Sequence, residues 1–119
     1  MSDYISVNED DDDVLWVWFF NENDKPFALG KKMNAICDEA YMNGYNWDAF
    51  FNYYLASRAP EVLSAMQDSD PEAGSYVAYF NKEYEAQAER FVAIIRELVE
   101  NEDETLRIVR EECDCIAWD

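Results

Sequence analysis

Val14-Leu15-Trp16-Val17-Trp18-Phe19-Phe20 is the longest apolar run in the chain and the strongest strand signal in it. Every residue there is β-branched, aromatic or leucine, so strand propensity is high throughout. Upstream, Tyr4-Ile5-Ser6-Val7 is a shorter run of the same kind. The two predict a hairpin whose turn is Asn8 to Asp13. The second strand is apolar on both faces. It therefore sits centrally, lies beneath helices, or offers Trp16 and Trp18 on one face to a partner.

Beyond the hairpin, Asn21 to Pro26 reads as a loop by composition. Met33, Ile36, Cys37, Ala40 and Tyr41 follow the spacing of one helix face, and Gly44 lies where such a helix ends most easily. Asn46 is a cap residue ahead of a second helix with Trp47, Phe50, Phe51, Tyr54 and Leu55 on its apolar stripe. Pro60 fits the first turn of a short third helix through Val62, Leu63 and Met66. Asp68 to Gly74 reads as a turn and Ser75 to Phe80 as a third strand. Asn81 caps a long helix to about Glu100. Asn101 with Glu104 resembles a capping box for a last helix, on which Asp103 and Arg107 are an i, i+4 pair. The tail from Cys113 to Trp118 is either a fourth strand or packed coil. This order predicts an α+β fold: a small, mainly antiparallel sheet of three or four strands packed with four or five helices. At 119 residues the chain has the length of one domain, its first 13 residues being an acidic strand and turn.

Charge narrows the function. Twenty-seven acids stand against nine bases, a formal net charge of −18, and histidine is absent. Phosphate repels such a chain, which argues against direct binding of nucleic acid or an anionic membrane. Without histidine there is no Ser-His-Asp or Cys-His pair and no imidazole metal ligand. The sequence therefore reads as non-enzymatic, with no cofactor and no metal. The N-terminus lacks the basic start and apolar run of a secretory signal. Three cysteines, an odd number, fit poorly with a disulfide framework, and Cys37 falls on an apolar stripe as a core residue. These features predict a soluble protein of the reducing cytoplasm.

Two groups of residues are candidates for contact with a partner. Glu9, Asp10, Asp11, Asp12 and Asp13 read as a cation site, a mimic of a phosphate backbone, a clamp for a basic protein, or a solvated turn that discourages edge-to-edge pairing. Trp16, Trp18, Tyr45 and Tyr53 could supply the rigid aromatic area that interface centres favour, although most aromatics between Tyr41 and Tyr54 have core spacing. Asp68-Ser69-Asp70 superficially opens a calcium loop, but Ala73 and Tyr79 stand where that loop needs Gly and Glu. Cys113-Asp114-Cys115 is too tight for a zinc knuckle.

Asn43-Gly44-Tyr45-Asn46-Trp47, followed by Asp70-Pro71-Glu72-Ala73-Gly74-Ser75-Tyr76-Val77-Ala78-Tyr79 and the closing Ile116-Ala117-Trp118-Asp119, resembles the immunity protein 51 family. The resemblance runs from about Val14 to the C-terminus and leaves out the acidic run. It implies a protein that protects a bacterium from a polymorphic toxin by binding it, and it supplies no catalytic residues. The charge of −18 suits a basic, nuclease-type toxin, because opposite charge steers association. The alternative is an acidic DNA mimic or anti-defence inhibitor of a nucleic-acid-binding enzyme.

Overall fold

The computed structural model describes residues 3–118. Strands β1 (Ile5–Glu9) and β2 (Val14–Phe19) form the expected hairpin, with Val7 opposite Val17 and the turn shortened to Asp10–Asp13. Helices α1 (Asp24–Ile36), α2 (Gly44–Arg58) and α3 (Pro60–Ala65) follow, then β3 (Met66–Pro71) and β4 (Tyr76–Asn81), and finally α4 (Glu85–Glu100) and α5 (Glu102–Glu112). The four strands make one antiparallel sheet in the order β1-β2-β4-β3. The fold is α+β, as expected.

Alternation sorts β2 cleanly. Leu15, Val17 and Phe19 are buried on one face; Val14, Trp16 and Trp18 are half-buried on the other. Across the inner face, Phe19 meets Trp47 and Phe51 of α2 edge-on, with centroids 4.9 and 5.4 Å apart. Tyr76 and Phe80 of β4 meet Phe91 of α4. Trp47, Phe50, Phe51 and Leu55 are all fully buried, so the stripe expected on the second helix is core. Pro60 does open α3, its missing N–H falling in the first turn, where no intrahelical partner exists.

Several expectations need correction. The stretch read as a loop at Asn21 to Pro26 includes the first turn of α1, which tolerates Pro26 because first-turn amides have no intrahelical acceptor. That helix then stops at Ile36, and Cys37 turns extended. Gly44 does not end a helix; it opens α2. Asn43, not Asn46, is the cap, its side chain accepting from the Asn46 N–H at 2.9 Å. The segment read as a turn at Asp68 to Gly74 is largely β3, the fourth strand, so the tail does not supply one. That tail forms a 3-10 turn at Cys113–Cys115 and a packed end with Ile116 and Trp118 buried. Asn101 caps α5 only by position: its side chain reaches back to Glu97, while Thr105 Oγ1 donates to Leu98 O. Arg107 pairs with Glu104 and Glu111 rather than with Asp103.

The largest correction concerns the cysteines. Cys37 and Cys113 are joined as a disulfide with their Cα atoms 6.3 Å apart, tying the end of α1 to the end of α5. Cys115 stays free and exposed. The reading of unpaired cysteines in a reducing compartment therefore loses its structural basis. No helix among the described residues is long and apolar enough to cross a membrane.

The residues that carry the family resemblance are a latch. Gly44 donates its N–H to Ala73 O at 3.0 Å, and a Cβ there would lie only 1.8 Å from Glu72 O and 2.2 Å from Ser75 O. Glycine is required by that approach to the β3–β4 turn. Two residues on, buried Asn46 donates from Nδ2 to Trp118 O at 2.7 Å and accepts the Met42 N–H at 3.0 Å. The three separated motifs thus meet at one place, the N-terminus of α2.

Candidate functional site

The outer face of the sheet is the feature that the fold leaves unfinished. Among the described residues its aromatic rings pair with one another and not with the rings of the helices. Trp16 meets Tyr79 edge-on at 5.0 Å, Trp16 and Trp18 lie 6.1 Å apart, and Trp18 stacks on Phe20 at 6.1 Å. Strand register turns this into two rungs that cross all four strands. One runs Ser6–Trp18–Val77–Asp70; the other runs Asn8–Trp16–Tyr79–Asp68. Each passes from a neutral polar residue at the β1 edge, through large apolar side chains, to a carboxylate at the β3 edge.

Carboxylates hold the aromatics in place. Asp10 Oδ2 accepts the Trp16 indole N–H at 2.9 Å, while its Oδ1 accepts the backbone N–H groups of Asp12 and Val14. Those bonds, that of Trp16 foremost, keep the Asp10 carboxyl below its ordinary range. At the other edge, Tyr79 donates its hydroxyl proton to Asp70 at 2.7 Å. That bond first, and burial second, push the phenol up to about 12. Both rings are thereby fixed in orientation before any partner arrives, which lowers the entropic cost of using them as contacts.

The charge around this face is uncompensated. Seven of the nine bases in the chain pair with carboxylates: Lys25, Lys32, Arg58, Lys82, Arg90, Arg96 and Arg107. Among the described residues, Asp11, Asp12, Asp13, Asp68 and Asp70 make no ion pair. An aromatic strip flanked by carboxylates at the turn and along the far edge can bind a surface that carries Lys or Arg. It suits guanidinium groups especially, which stack on rings while bonding to carboxylates.

The residues singled out in the sequence fall in three places. Asp10, Trp16 and Trp18 are joined on the outer face, with exposed Asp11, Asp12 and Asp13 at its end. Glu9 is occupied by Lys82 at 2.6 Å, and the Asp13 carbonyl accepts the Lys82 N–H, so these two anchor the turn to the start of the α4 segment. Tyr45, 49% exposed, stands on the latch at the N-terminus of α2. Tyr53 is only partly exposed. Its hydroxyl donates to Glu112 at 2.5 Å, beside the Arg58–Glu112 ion pair, and the carboxylate raises the phenol to about 12. That cluster ties α2 to α5 and is remote in the chain from the sheet residues. The residues that sequence reading missed are Phe20, Val77, Tyr79, Asp68 and Asp70. Phe20 follows from continuing the alternation of Trp16 and Trp18; Val77 and Tyr79 emerge only once β4 lies beside β2, and Asp68 and Asp70 only once β3 lies beside β4.

Fold and site together define a small, acidic α+β domain with helices packed on one sheet face and a half-buried aromatic file on the other. The family model described as immunity protein 51 matches residues 6–113, and the chain belongs to that family. As a member it has a toxin-neutralising immunity role. The match begins within β1, so the acidic turn lies inside the matched residues, contrary to expectation, and the closing Ile116–Asp119 lies outside them. No curated protein and no solved structure matches the chain.

Proposed function

We infer that this immunity protein works by binding alone, covering a basic toxin domain of the nuclease type with the aromatic outer face of its sheet. The observation that carries this reading is the file of Trp16, Trp18, Phe20 and Tyr79, in contact with one another and flanked by carboxylates free of ion pairs. Such a face combines the two things a fast inhibitor needs. The charge of −18 steers a cationic partner to it, at rates that reach on the order of 10⁸–10⁹ M⁻¹s⁻¹ at low salt. The aromatic centre supplies area that excludes water and slows dissociation. Within this reading Asp11, Asp12 and Asp13 guide the encounter and Trp16 and Trp18 provide the affinity. Tyr45, on a different element, is at most peripheral, and Tyr53 serves the fold.

Action on a toxin inside the producing cell places the protein in the cytoplasm. Disulfides are rare in that compartment. The reading therefore requires the packing around Cys37 and Cys113 to hold when both are thiols. A mimic of nucleic acid would need a longer file of carboxylates than Asp68 and Asp70, the two that follow one another on one face of β3.

The test is direct. The purified chain is expected to form a 1:1 complex with the product of the toxin gene beside its own, and to rescue growth on co-expression. Its association rate should fall steeply as salt rises. Failure to form any complex at micromolar concentration, together with failure to rescue, would refute the reading.

A further inference from the structure

The sheet has two edges, and they are built differently. β3 carries a register irregularity between Met66 and Asp68, ends in Pro71 and presents Asp68 and Asp70. Each of these devices discourages an added strand. β1 has no proline, no bulge and no lysine, and among the described residues it pairs with β2 alone.

Backbone bonds at its two ends reveal which groups of β1 remain available. Phe20 donates its N–H to Tyr4 O at 2.8 Å, and Asp10 donates to Val14 O at 3.0 Å. The even-numbered residues therefore exchange bonds with β2, and the odd-numbered ones turn away from it. The outward N–H of Ile5 is already taken by Asp3 Oδ1 at 3.1 Å, and Asp3 is held by Arg96 of α4. Val7 and Glu9 are left with backbone donors and acceptors aimed at the open edge.

The underside of this edge is open too. Val7 points to the helix side of the sheet yet is 50% exposed, since the α4 residues nearest it leave a gap. The gap is a cavity of about 280 Å3 lined by Val7, Leu15, Glu85, Ala88, Glu89 and Val92. Its floor is apolar and its rim is two carboxylates that make no ion pair among the described residues.

We propose that the β1 edge at Val7–Glu9 accepts an extended segment of a basic protein as a fifth strand. One apolar side chain of that segment fills the cavity over Ala88 and Val92, and a Lys or Arg two residues along reaches Glu85 and Glu89. Main-chain bonds to Val7 and Glu9 provide the register, and the acidic rim selects the charge. A second copy of this chain is disfavoured as occupant, since it brings another −18 to the same place. The proposal rests on the reading of the chain as a toxin binder, and the segment belongs to that toxin.

Two probes separate the proposal from that reading. The first is a nine-residue synthetic peptide alternating valine with lysine, compared with one alternating valine with glutamate. The lysine peptide should shift the amide signals of Val7 and Glu9, while the glutamate peptide leaves them unmoved. Val7→Pro removes the outward N–H without touching a bond to β2, and should weaken the lysine peptide at least tenfold with an unchanged far-UV spectrum. Glu85→Lys/Glu89→Lys, on the helix, should do the same and serves if the proline variant fails to fold. Binding that maps elsewhere, is unaffected by these variants, or is absent at millimolar peptide would overturn the proposal. The second probe is the product of the neighbouring toxin gene. Equal binding of that protein by wild type and both variants would overturn the strand-addition proposal and leave the immunity reading standing. A toxin product that wild type fails to bind would sink the immunity reading, while the peptide result still decides the edge.

Discussion

The two faces of the sheet are made of similar material and do opposite things. Along β2 and the residue that follows it, Leu15, Val17 and Phe19 alternate with Trp16, Trp18 and Phe20. The inner file is buried against Trp47, Phe51 and the helices behind them; the outer file contacts its own neighbours and two carboxylates. Cross-strand aromatic pairs contribute modestly to the sheet, and under the proposed reading the half-buried outer file serves mainly what it meets.

The sharpest way to break this comparison is to truncate one aromatic on each side. Trp47→Ala, on the inner side, should cost about 3–5 kcal/mol in chemical denaturation, because it leaves a cavity in a layer that cannot collapse onto it. A loss below about 1 kcal/mol would mean that the core lies elsewhere. The cross-link behind that layer comes next. Cys113→Ser opens a loop spanning 76 residues, and chain entropy puts the loss at about 4 kcal/mol, with the folded spectrum retained. A variant that is unfolded at room temperature would contradict action in a reducing compartment.

On the outer side, Trp18→Ala should change stability by no more than about 1 kcal/mol. It should weaken the toxin complex about thirtyfold, the equivalent of a 2 kcal/mol hot spot. Equal losses of stability and affinity would erase the distinction between the faces. The smallest effect concerns pH. The Asp10 carboxyl is held below its ordinary value of 3.8 in the folded chain, so its contribution is present above that value and fades as pH falls through the lower, folded one. Acidification from pH 5 to 2 should therefore release the Trp16 indole and shift its fluorescence, and Asp10→Asn should flatten that response. An unchanged titration in the variant would assign the response to other carboxylates.

Much of the covered face was legible in the sequence, because burial leaves a periodic trace. The strand from Val14, the stripe from Trp47 to Leu55 and the long helix ending at Glu100 all read from spacing, although Asn81 caps a 3-10 turn at Lys82–Tyr84 and the helix itself starts at Glu85. What escaped was structure that borrows its reason from elsewhere in the chain. Met66 to Pro71 is polar and carries two aspartates; it is a strand only because β4 offers it a partner. The first turn of α1 was hidden by Asn23, Asp24 and Pro26, residues common to loops and helix starts alike. The Cys37–Cys113 pairing spans 76 residues and leaves no local mark. Trp16 and Trp18 were visible as candidates, whereas Tyr79 and Asp70 belong to the same face only through register.

Hydroxyl-radical footprinting of the complex with the neighbouring toxin product tests the central claim most directly. Trp16, Trp18, Phe20 and Tyr79 should lose most of their oxidation on binding, while Tyr41, 74% exposed outside the sheet, keeps its own. Full oxidation of the four outer-face aromatics in a saturated complex, with protection confined to the helices, would contradict it.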